Sequence, residues 1–181
     1  VGSLLTGNKF VATSSSTYGN GVYQVAWVTN DTRNSYSYGD GDIYFDADTV
    51  ARLEGFFSQS LSLSEGQFEG KPFELEPCQK FIVGSIFGWK RKDGSRRFRR
   101  AFIEMGKGNG KSPLSAGIGL YGLMADGESG AQIYTAAAKR DQAMITFNDA
   151  VEMVRQSPAL EERVTPSGIN PVWNLADLKT G

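Results

Sequence analysis

The stretch Arg99-Arg100-Ala101-Phe102-Ile103-Glu104-Met105-Gly106-Lys107-Gly108-Asn109-Gly110-Lys111-Ser112 reads as a short strand running into a glycine-rich loop that closes on Gly-Lys-Ser. Those residue types in that order suit the binding of a nucleoside triphosphate by its phosphates. Successive backbone N–H groups must converge on the β- and γ-phosphates, and glycines let the main chain come that close. Lys111 supplies a point charge, Ser112 offers its hydroxyl to Mg²⁺, and a helix starting there turns its positive dipole end toward the anion. The usual phosphate-loop spacing asks for glycine at position 105, where this chain has Met105, with Gly106 and Gly108 inside the loop instead. The alternative reading is a flexible basic surface loop. Flanking pattern favours phosphate binding, because Ala101-Phe102-Ile103 is an apolar run of strand type and Leu114, Ile118 and Tyr121 follow with helical spacing.

The elements that must position this loop follow from the apolar pattern. Val50, Leu53, Phe56, Phe57 and Leu61 predict a helix capped by Asp46 or Asp48. Pro77-Cys78-Gln79-Lys80 opens a second, with Phe81, Ile82, Ser85, Ile86 and Trp89 on one side. A turn centred on Asp93-Gly94 leads to the strand at about 99–105, the loop 106–111 and a helix from about Lys111 to Met124. A second strand is expected at 131–136, then a helix from about Arg140 to Gln156 that Pro158 ends. Strand, phosphate loop, helix, strand and helix make a βαβ unit, so the two strands are expected to be parallel with the phosphates at the carboxyl end of the sheet. Residues 1–45 form a polar, turn-rich arm with one candidate strand at Val25-Ala26-Trp27-Val28, and residues 46–181 the domain proper. The segment Thr165 to Gly181 reads as cut off, without a closing element.

Composition limits the chemistry. The 181 residues with 40% hydrophobic content suffice for one α/β domain. Net charge is −1, but its distribution is uneven: residues 40–76 hold nine acidic and two basic side chains, whereas Lys90 to Arg100 hold seven basic residues against Asp93 alone. With no histidine, Ser-His-Asp triads and most zinc sites are excluded. The single cysteine, Cys78, cannot form an intrachain disulfide, which suits a reducing cytosol. The sequence shows no bilayer-spanning stretch and no signal peptide, so a soluble intracellular protein is expected.

Taken together, Phe73-Glu74-Leu75-Glu76-Pro77-Cys78-Gln79, Phe87-Gly88-Trp89-Lys90, Arg97-Phe98-Arg99, the loop Glu104 to Ser112, and Ala136-Ala137-Ala138-Lys139-Arg140-Asp141-Gln142-Ala143 resemble the large terminase subunits of tailed bacteriophages. These are the ATP-driven motors that package viral DNA into procapsids. The resemblance runs from roughly Phe56 to the C-terminus and implies a P-loop NTPase-type three-layer α/β sandwich with a largely parallel sheet. It also implies that ATP and Mg²⁺ are bound by Gly106, Lys107, Gly108, Asn109, Gly110, Lys111 and Ser112, with Lys111 catalytic and Ser112 on the metal. Gln79 resembles the glutamine that reads the adenine edge; on the residues alone it serves equally as a helix N-terminal side chain bonding to backbone. Cys78 departs from the tryptophan expected beside it.

Lys139 and Arg140 fall where related motors touch nucleic acid, a solvated helix start being the alternative, and the basic run Lys90 to Arg100 invites the same choice. The family's partners are double-stranded viral DNA, the portal and the small terminase subunit, in a homo-oligomeric ring without a membrane, and its setting is the host cytoplasm. No apolar run ending in Asp-Glu follows Ser112. The chain is therefore expected to stop before the acidic motif that holds Mg²⁺ and activates water, and before the nuclease domain. A small P-loop kinase and a non-catalytic nucleotide- or nucleic-acid-binding module are the competing readings.

Overall fold

The computed structural model describes residues 2–5, 9–12, 17–18, 21–22, 35–38, 43–64, 66–168 and 174–179. In chain order the elements are β1 (Gly2–Leu5), β2 (Lys9–Ala12), β3 (Thr17–Tyr18), β4 (Gly21–Val22), β5 (Ser35–Tyr38), β6 (Ile43–Asp46), α1 (Ala47–Ser60), α2 (Pro77–Gly88) and β7 (Trp89–Arg91). They continue with α3 (Lys111–Met124), α4 (Arg140–Arg155), α5 (Pro158–Glu161), β8 (Val164–Ser167) and β9 (Asn174–Asp177). The class is mixed α/β. The chain divides into two units, Val1–Glu54 with Leu75–Asn109, and Gly55–Glu74 with Gly110–Gly181.

In the first unit, β5, β6 and β7 form an antiparallel sheet in that order, with Tyr44 opposite Lys90 and Phe45 opposite Trp89. Asp46 ends β6 and starts α1: its Oδ1 accepts the Thr49 N–H at 3.0 Å and its Oδ2 the Thr49 hydroxyl at 2.7 Å. This satisfies an N–H that the first helical turn leaves without a partner. The expected apolar stripe is real, since Val50 and Leu53 are buried together with Val83 and Phe87 of α2. Gly88 is required where α2 ends, because a Cβ there would lie 2.5 Å from Phe45 Cε2 and 2.7 Å from Val50 Cγ2.

In the second unit the core gathers Phe57, Leu61, Phe73, Leu114, Leu120, Tyr121, Met153 and Val154. Gly117 lets α3 come close to the end of α1, as a Cβ at that position would sit 2.5 Å from Phe57 Cε1. Phe57 and Phe73 meet edge to face at 5.1 Å, and Phe56 meets Tyr121 at 5.6 Å. The buried carboxylate of Asp149 accepts the Ser64 hydroxyl at 3.1 Å.

Three expectations are corrected. Segments 99–105 and 131–136 carry no strand, and every strand pair among the described residues is antiparallel. An apolar run becomes a strand only when a neighbour takes up its backbone hydrogen bonds, and none does so among the described residues: Phe102 remains 89% and Tyr134 81% exposed. The C-terminal segment does contain a closing element, the hairpin of β8 and β9 with Val164 opposite Asp177. Arg163 anchors it, Nε and Nη2 donating to the two Asp177 carboxylate oxygens at 2.7 Å each while Nη2 also reaches the Met124 carbonyl at 2.7 Å. Finally, α4 ends at Arg155, and Pro158 opens α5 as its first residue rather than terminating α4. The candidate strand Val25–Val28 lies outside the described residues.

Candidate nucleotide-binding site

The loop owes its path to glycine. Gly108 has φ +85° and Gly110 has φ +71° with ψ 22°, a left-handed conformation in which a side chain clashes with its own backbone. At Gly106 the space is merely tight: a Cβ there would lie 3.1 Å from the Asn109 side-chain nitrogen, which a small shift of that side chain would relieve.

Gly110 is the N-cap of α3, and its carbonyl accepts the Leu114 N–H at 3.0 Å. No side chain caps this helix. Pro113 has no N–H to offer, so the N–H groups of Lys111 and Ser112 are the donors the first turn presents. They point along the positive end of the macrodipole of a 14-residue helix. The Lys111 side chain is exposed and makes no ion pair among the described residues. Lys107, Gly106 and Gly108 are exposed as well, while Asn109, Gly110 and Ser112 are half-buried. Two N–H groups and an ammonium without partners among the described residues, with a hydroxyl at the same helix start, suit a phosphate chain carrying a cation. Among the described residues no cluster of His, Cys, Asp or Glu could hold a metal.

Gln79 is 5% exposed, and its Oε1 accepts the Glu76 N–H at 2.9 Å, so it serves the start of α2. Its amide nitrogen makes no hydrogen bond among the described residues. Cys78 beside it is a half-buried free thiol. Lys139 and Arg140 are both exposed at the start of α4, Lys139 being its N-cap with φ −127° and ψ 143°.

One polar cluster was not legible in the sequence. Lys90 Nζ donates to Asp46 Oδ2 at 2.6 Å and to Thr49 Oγ1 at 2.9 Å, joining residues 44 positions apart. Burial opposes ionisation of Asp46, but the hydrogen bonds from Lys90 and Thr49 outweigh it and bring the carboxyl down from 3.8 to about 2. This cluster has a structural role, fixing the start of α1 to β7, the strand that follows α2.

The family model of the terminase large subunit ATPase domain matches residues 77–167. The large terminase subunit of Enterobacteria phage HK97 is 34% identical over 120 residues, which is 65% of this chain and 23% of that protein. The crystal structure of the HK97 bacteriophage large terminase superposes with a TM-score of 0.59 at 28% identity, over 72% of this chain and 25% of that one. The chain thus spans about a quarter of the length of the relatives it matches.

Proposed function

Because the chain belongs to the family of phage terminase large subunit ATPase domains, we propose that its glycine loop and the start of α3 bind Mg-ATP for a motor that moves viral DNA into procapsids. The small-kinase alternative falls away with that family membership. The observation that carries the reading is the uncapped N-terminus of α3 with Lys111 and Ser112 free to meet phosphate. The backbone N–H groups of Lys111 and Ser112 bind the phosphates, Lys111 Nζ balances their charge, and the Ser112 hydroxyl takes the metal. Gly106, Lys107, Gly108 and Asn109 shape the approach, and Gln79 is assigned to the adenine edge through the amide nitrogen its cap leaves free. ATP bound there supplies the γ-phosphoryl group whose hydrolysis drives translocation.

Residues 1–45 are assigned as an arm and 46–181 as part of the ATPase domain. Double-stranded viral DNA, the portal, the small terminase subunit and further copies in a ring are the proposed partners, in the host cytoplasm, with Lys139 and Arg140 on DNA. No helix of the described residues is long and apolar enough to cross a membrane.

Calorimetric titration with ATP, ADP, AMP and adenosine, with and without Mg²⁺, tests the reading. Each lost charge-assisted contact to a phosphate should weaken binding about ten- to a hundredfold, so affinity should fall from ATP to AMP. Adenosine binding as tightly as ATP would reject a phosphate-directed site.

A further inference from the structure

The basic run after α2 folds into a hairpin held by its own backbone. Gly94 N–H donates to the Arg91 carbonyl, Arg91 N–H to that of Ser95 and Arg97 N–H to that of Trp89, each at 2.8 Å. Asp93, the one acid of the run, accepts the Ser95 N–H at 2.9 Å. Three of the seven cations have a partner: Lys90 pairs with Asp46, the Arg96 guanidinium lies 4.8 Å from the centre of the Phe87 ring, and the Arg97 guanidinium lies 5.2 Å from that of the exposed Phe98. Arg91, Lys92, Arg97, Arg99 and Arg100 are exposed and form no ion pair among the described residues. An ordinary solvated turn intersperses acids with its bases. Here three of the exposed cations, Arg91, Lys92 and Arg97, converge with Asp93 and Ile43 on one shallow, open concavity of about 470 Å³. Its walls carry three positive charges against one negative.

We propose that this hairpin is a docking surface for the phosphodiester backbone of double-stranded DNA, with Arg91, Lys92 and Arg97 cradling the phosphate ridge and Arg99 and Arg100 extending the contact. The proposal rests on the reading of the chain as part of a DNA-packaging ATPase. An open concavity walled by long cationic stems accepts a convex polyanion and cannot enclose a small ligand. It offers contacts to phosphates and none that distinguish bases, as a motor moving along any sequence needs.

The test compares the chain with Arg91→Gln/Lys92→Gln/Arg97→Gln and with a control of equal charge loss, Arg52→Gln/Lys71→Gln/Arg155→Gln. Binding to a random-sequence duplex is measured from 50 to 200 mM salt. The hairpin variant should lose about tenfold or more in affinity, and its log–log salt slope should become shallower by roughly 2–3, about 0.9 for each phosphate contact removed. Arg91→Lys/Arg97→Lys should keep the parent slope, which separates charge from fold. Equal losses in the hairpin and control variants, or a parent chain that does not bind duplex, would overturn the proposal. So would tighter binding of single strands than of duplex. Mg-ATP titration of the same proteins is independent of these outcomes: intact ATP binding beside absent DNA binding rejects the docking surface and leaves the nucleotide site standing.

Discussion

Lys111→Ala separates the two things a lysine can do at a helix start. Lys111 is exposed, makes no ion pair among the described residues, and occupies the first helical position behind the N-cap Gly110. A cation beside the positive end of the helix dipole is unfavourable by about 0.3–1 kcal/mol, and alanine is the better helix former by a few tenths. The nucleotide-free variant should therefore be as stable as the parent or more stable by up to about 1 kcal/mol. Its affinity for Mg-ATP should move the other way. Loss of one or two charge-assisted hydrogen bonds to phosphate, at about 1.5–3 kcal/mol for one, weakens binding roughly ten- to a hundredfold. Urea unfolding of the nucleotide-free protein and calorimetry with Mg-ATP measure both quantities on one preparation. Undiminished ATP affinity would refute the assignment. A stability loss above about 1 kcal/mol would show that Lys111 has a structural partner and that the dipole reasoning is wrong.

The acid limb of stability should report Asp46. Its folded pKa lies below the ordinary value, so its contribution is complete above about pH 5 and is lost as pH falls through 3.8 toward about 2. The full drop corresponds to roughly 2.4 kcal/mol, which screening by water at a partly exposed pair reduces to about 1–2 kcal/mol. Asp46→Asn keeps a capping side chain but should flatten that part of the pH profile in urea titrations; parallel parent and variant profiles would contradict the Lys90 contact. Arg163→Met should cost about 2–4 kcal/mol in thermal or urea unfolding, because it takes the guanidinium from a fully buried Asp177 carboxylate and leaves the Lys179 N–H at 3.2 Å, while the arginine itself is a quarter exposed. A loss under about 1 kcal/mol would show that water already screens this pair.

Local signals placed the helices and the glycine-rich loop before α3. The apolar spacing, Asp46 as a cap, Pro77 in a first turn and the Gly-Lys-Ser start of α3 all act within one or two turns of chain, where backbone sterics and capping decide the outcome. The glycine pattern likewise required a loop that only glycine can follow at positions 108 and 110. What the sequence could not specify depends on partners distant in the chain. Segments 99–105 and 131–136 have the composition of strands, but a strand exists only through a neighbour's hydrogen bonds. The pairs Asp46–Lys90, Ser64–Asp149 and Arg163–Asp177 join residues 44, 85 and 14 positions apart, and no local rule relates their members. The seven cations of Lys90 to Arg100 show the division most clearly. Their number is plain from the sequence, but only tertiary contact decided that Lys90 would turn to Asp46 and Arg96 to Phe87 while Arg91, Lys92 and Arg97 line one open concavity.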